Sequence, residues 1–154
     1  MQATATLKDL QSELAELRSR HSAMPDDDLF VLWFLLAFVT DNESVAAKAV
    51  TGRSGDKSCD AIVIDDSTKT VALVQGKYRQ KLGKGSEKRA DVQTFADLGK
   101  RLTTSEAKAF KEFVASADPF VAEQLKQARK RLLNDGYRLW LYYVTLGRCS
   151  STVR

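Results

Sequence analysis

Two short runs rich in isoleucine and valine, residues 59–66 and 70–79, flank the polar stretch Ser67-Thr68-Lys69. β-branched runs of this length on either side of turn-forming residues predict a β-hairpin. If residues 66–69 form the loop, antiparallel pairing sets Asp65 opposite Thr70 and, further back, Asp60 opposite Gln75, with Cβ atoms about 5 Å apart. Side chains alternate along a strand, so Gln75 and Lys77 share a face, their Cα atoms roughly 7 Å apart. Ile62, Ile64, Val71 and Leu73 occupy that same face. A polar trio of Asp60, Gln75 and Lys77 therefore ends an apolar stripe, and a slip of one residue would break the alignment.

Around the hairpin the pattern is helical. Leu7, Leu10, Leu14 and Leu17 recur at helical spacing, with Thr6 and Asp9 placed as a variant capping box. The stripe is short for a coiled coil, so packing on the chain's own domain is expected, with homodimerisation through it as the alternative. Pro25 and three aspartates, Asp26 to Asp28, favour a helix start and predict a second helix reaching about Thr40. Its apolar run, residues 29–39, is about half a membrane span in length, which predicts a buried core helix. Residues 42–50 read as another helix carrying Glu43.

Beyond the hairpin, residues 80–89 form a lysine-rich loop with glycines at 83 and 85, expected to be mobile. Helices are predicted over about 90–102, 105–116 and, from the Asp118-Pro119 start signal, up to Leu133. Asn134-Asp135-Gly136 ends the last of these, and residues 137–146 are aromatic and β-branched enough for a buried strand. Trp33 and Trp140 lie in apolar runs and are expected in the core. The fold class is thus α/β: a helical part over 1–50, a hairpin core over 59–79, and helices with a last strand over 90–146, in one domain. A length of 154 residues suits one domain without structural metal or disulfides. Cys59 and Cys149 are far apart and make no metal-binding pair, which fits a reducing, cytoplasmic setting. No signal-peptide pattern precedes the apolar run.

An acid opening one strand, with an amide and a lysine closing the next, suits metal-assisted phosphodiester cleavage. That reaction needs an activated water, neutralisation of charge gathering on phosphorus, and a stabilised leaving oxygen. Magnesium, or manganese in its place, takes oxygen ligands. On this reading Asp60 and the Gln75 amide oxygen hold the metal, and Lys77 orients the water or steadies the phosphate. Glu43 is the candidate second carboxylate, with Asp56 in reserve.

These residues resemble the PD-(D/E)xK nuclease superfamily, carried here by Asp60-Ala61-Ile62-Val63-Ile64 and Val74-Gln75-Gly76-Lys77-Tyr78. The Q-x-K form is similar to Mrr-like restriction enzymes, and residues 56–78 look most like the N-terminal domain of abortive infection phage resistance proteins. Cys59 stands where the superfamily name has proline, and Gln75 replaces the customary acid. The resemblance implies a restriction-endonuclease-like mixed sheet flanked by helices, a magnesium-dependent DNA endonuclease active in anti-phage defence, and further sequence, such as a C-terminal domain, in a full-length protein. A non-catalytic nucleic-acid-binding or oligomerisation module on a decayed nuclease fold is the alternative.

Net charge is only +4, so the distribution of charge matters more than its sum. Arg79, Lys81, Lys84, Lys88 and Arg89 crowd the loop after the hairpin beside a single acid, Glu87. They could follow a phosphate backbone, of DNA or RNA, with steep salt dependence. Gln93, on the following helix, is a further candidate for substrate contact. Gly83-Lys84-Gly85-Ser86 lacks the spacing of a nucleotide-binding phosphate loop. His21, the single histidine, has no metal-ligand partner in the sequence and reads as a surface residue, which excludes histidine-based hydrolysis.

Overall fold

The computed structural model describes residues 5–50, 59–83, 85–104 and 106–149. Helix α1 (Leu7–Arg20) begins at Thr6 with the expected capping box: the Asp9 amide donates to Thr6 Oγ1, and the Thr6 amide donates to Asp9 Oδ2. Helix α2 (Asp26–Phe38) is apolar around most of its circumference, and Leu29, Phe30, Val31, Leu32 and Leu35 are fully buried. A helix of this kind must be covered on several sides. It lies between α1, the short helix α3 (Glu43–Ala49) and the sheet. Each such leucine or phenylalanine contributes about 1.5–3 kcal/mol through burial.

The hairpin forms in the expected register. Strand β1 (Ala61–Asp65) pairs antiparallel with β2 (Thr70–Lys77), from Asp65↔Thr70 to Ala61↔Val74. Asp65 Oδ1 accepts from the Ser67 and Thr68 amides, and Lys69 takes the left-handed conformation that closes the turn. Asp66 Oδ1 accepts from Arg131 Nε and from the Tyr137 hydroxyl, pinning the turn to the far side of the molecule.

Helices α4 (Arg89–Thr104), α5 (Ala107–Ala115) and α6 (Pro119–Asn134) follow, the last opened by Asp118, whose side chain accepts from the Phe120 and Val121 amides. Strand β3 (Arg138–Thr145) then runs parallel to β2, with Val71↔Leu139 and Lys77↔Thr145 in register. The sheet is mixed, in the order β1-β2-β3. One apolar cluster joins α1, α2 and α3 to one face, and a second joins α4, α5 and α6 to the other. The molecule is therefore α/β with helices on both sides of a central sheet.

Three expectations are corrected. β3 is an edge strand rather than a buried one, and Trp140 is 50 % exposed, stacked on Tyr142 rather than enclosed in the core. The lysine-rich loop is held rather than loose: the Gly83 amide donates to Leu146 O, the Glu87 amide to Arg148 O, and the Arg148 amide to Gly85 O. Gly83 and Gly85 adopt positive φ in making that path. Among the described residues, no helix is long and apolar enough to cross a membrane.

Candidate functional site

A cavity of about 250 Å³ opens at the end of the sheet where β2 finishes, lined by Asp27, Asp28, Asp60, Gln75, Gly76, Lys77, Tyr78 and Arg79. The hairpin register brings Asp60, Gln75 and Lys77 together as the sequence predicts. The Asp60 amide donates to Val74 O at 2.8 Å, extending the ladder one residue before β1. The Asp60 carboxylate reaches across it, and its Oδ2 accepts from the Gly76 amide at 2.8 Å. That bond holds the acid between the two polar side chains of β2.

Gly76 also decides what faces them. A Cβ at this position would lie 2.8 Å from Val31 Cγ2, closer than packed atoms approach. Its absence lets α2 settle against β2, and the helix N-terminus then carries Asp27 and Asp28 to the cavity. Sequence reading treated these acids only as helix-start signals. A glycine between two site residues, facing a wholly apolar helix, was the available clue that the helix approaches there.

Glu43 is placed elsewhere. Its Oε1 accepts from Arg20 Nε at 2.9 Å and lies 2.7 Å from His21 Nε2, in a cluster joining the end of α1 to the start of α3. The hydrogen bonds from Arg20 and then His21 hold its carboxyl below the ordinary range. Glu43 does not line the cavity; the carboxylates that do, besides Asp60, are Asp27 and Asp28 of α2. His21, expected at the surface, is partly buried and meets Glu43 there. Asp56 lies outside the described residues.

The cavity's donor set is oxygen-rich: carboxylates from two elements and the Gln75 amide. Gln75 Oε1 is buried and has no hydrogen-bond partner among the described residues. A buried carbonyl oxygen without a donor is costly, and a hard cation would satisfy it. Asp60, Gln75 and one α2 aspartate are the residues that fit such an ion. Among the described residues, no three His, Cys, Asp or Glu side chains cluster closely enough to form a ligand set by themselves, so the amide oxygen matters to that fit.

The basic residues divide. Arg79 lines the cavity. Lys81, Lys88 and Arg89 are exposed, the last at the first turn of α4, while Lys84 lies outside the described residues. Gln93 is exposed on α4 and donates to Asp97 one turn on, so it does not share the cavity. Glu87, the lone acid of the loop, is buried among Arg79, Tyr143 and Thr145. Burial would raise its carboxyl, but hydrogen bonds from Thr145, Arg79 and Tyr143 outweigh that and hold it below the ordinary value. Burial, and then the facing Glu87 carboxylate, push the Tyr143 hydroxyl well above the usual tyrosine range.

What the fold and cavity define is an α/β protein with an acidic, amide-bearing cleft and an arginine at its rim. A scan against protein-family models finds no match, and searches of curated proteins and of solved structures find none either.

Proposed function

We propose that this chain is a magnesium-dependent endonuclease that hydrolyses DNA phosphodiester bonds, with a restriction-endonuclease-like core and a role in anti-phage defence. The observation that carries the reading is the cavity itself, lined by Asp60, Gln75, Lys77 and the α2 acids, with a Gln75 amide oxygen that has no hydrogen-bond partner among the described residues. The helix, antiparallel hairpin, helices and parallel strand, in that order, support the fold assignment.

Asp60 and Gln75 Oε1 would hold the ion, with Asp27 or Asp28 completing its charge balance. Magnesium, when bound, supplies charge neutralisation at the phosphate and acidifies water. Lys77 shares the face of Gln75 and lies along the cavity wall, where its cationic side chain orients the attacking water against the phosphate. In that hydrolysis the water oxygen would bond to phosphorus and give up a proton to solvent as the bond to the departing sugar oxygen breaks, and that oxygen would take a proton from solvent, leaving the protons in balance. Arg79 takes non-bridging phosphate oxygens at the rim.

Supercoiled plasmid incubated with magnesium or manganese tests this. Wild-type chain should nick it, while Asp60→Ala and Lys77→Ala should not, with circular dichroism unchanged. Undiminished cleavage by Asp60→Ala would sink the assignment. A second reading, a nucleic-acid-binding module without catalysis, draws on Gln75 in an acid's place and the exposed Lys81, Lys88 and Arg89. It predicts metal-independent binding and no nicking with any divalent ion.

A further inference from the structure

Glu87 is 3 % exposed, the only buried charged residue among the described ones, yet it sits in the most cationic stretch of the chain. Its Oε1 accepts from Arg79 Nη2 at 2.9 Å and from Thr145 Oγ1 at 2.5 Å, and its Oε2 accepts from the Tyr143 hydroxyl at 3.1 Å. Gly147 makes room for it, since a Cβ there would stand 2.6 Å from Glu87 Oε1. A buried carboxylate needs several donors to offset its lost hydration. Stability alone would be served as well by an apolar group of similar volume.

What this clamp fixes is Arg79. The guanidinium lines the cavity with Asp60, Gln75 and Lys77. It spends Nη2 on Glu87, while its Nε is buried and has no hydrogen-bond partner among the described residues. Guanidinium donors lie in one rigid plane, so holding one nitrogen sets the direction of the others. A guanidinium held this way presents its remaining N–H donors in a fixed direction, and a charge-assisted hydrogen bond to a phosphate oxygen suits them.

We propose that Glu87 is a positioning residue that aims Arg79 at a backbone phosphate of the bound nucleic acid, an inference that rests on reading the cavity as a nucleic-acid site. Glu87 touches no substrate and acts through the arginine alone.

The test is a double-mutant cycle on binding of a fluorescent DNA duplex, followed by anisotropy across a salt series without divalent metal. Arg79→Ala should weaken binding about tenfold at about 0.1 M salt and lower the slope of log affinity against log salt by about one. Glu87→Gln removes a negative charge beside a polyanion, which by itself would tighten binding. A positioning role instead predicts about threefold to tenfold weaker binding, with no further loss in the Arg79→Ala background. Arg79→Lys, which keeps the charge but not the fork, should preserve the salt slope and lose affinity. If Glu87→Gln fails to fold, Gly147→Ala, whose Cβ would crowd Glu87 Oε1, Gly85 O and Thr145 Oγ1 and so disturb the seat of Glu87, should show the same dependence on Arg79. Equal penalties in both backgrounds, or tighter binding by Glu87→Gln, would overturn the proposal. Coupled binding without plasmid nicking would retain it and reject the nuclease, whereas a wild type that binds no DNA rejects both.

Discussion

Glu43 pairs with Arg20 and His21 away from the cavity, whereas Asp27 and Asp28 line it beside Asp60 and Gln75. Glu43→Gln should therefore lower the melting temperature slightly and leave plasmid nicking within about twofold, because an exposed ion pair contributes little. Asp28→Asn should cut nicking by about tenfold or more, since on the proposed reading it removes a carboxylate that balances the charge of the bound ion. Comparable losses from both variants would return Glu43 to the site. Glu87 adds a pH dependence. Its folded pKa lies below the unfolded value of 4.5, so its contribution is fully present above that pH and is lost as pH falls through the folded value. Denaturant melts of wild type and Glu87→Gln should thus differ at neutral pH and converge below pH 4.5; a gap independent of pH would contradict this. Asp60, Gln75 and Lys77 were legible because a four-residue turn sets their register locally. The fate of Glu43 was not, because it depends on where the end of α1 comes to rest.

Among the elements, the packing of α2 on β2 hinges on Gly76. Gly76→Ala would force its Cβ into Val31 and should destabilise the chain by about 1–3 kcal/mol. It should also reduce nicking at temperatures where the variant remains folded, because the α2 acids shift away from Asp60. Nicking at the wild-type rate there would show that the helix N-terminus takes no part. Helix starts were readable from Thr6 and Asp118, whose side chains accept from nearby amides. The environment of β3 was not: apolar composition says that a strand is covered, not whether it has one neighbour or two. The lysine-rich loop hid its order similarly, since its anchors on residues 146–148 are backbone bonds that any side chains could make.

For the whole molecule, the sheet divides the core in two, and the leucine stripe of α1 belongs to one half. Leu10, Leu14 and Leu17 are buried against α2 and so are used within the chain itself. Leu10→Asp places an unpaired charge in that core and should destabilise the fold by about 3 kcal/mol or more. The melt would show a lowered transition; a folded variant that changed only its mass in light scattering would instead mark the stripe as a dimer seam. The two partners of β2 also differ in a way that sets an order of assembly. β1 joins it across a tight turn, and such hairpins close in about 1–10 μs. β3 returns only after three helices, and long-range parallel pairing is slow. Asp60, Gln75 and Lys77 can therefore gather early, while the seat of Glu87, built from Tyr143 and Thr145, must wait for the last strand. A nascent chain that has not yet made that strand carries the acids and the lysine without the Tyr143 and Thr145 donors of Glu87, so this side of the cleft is assembled after the other.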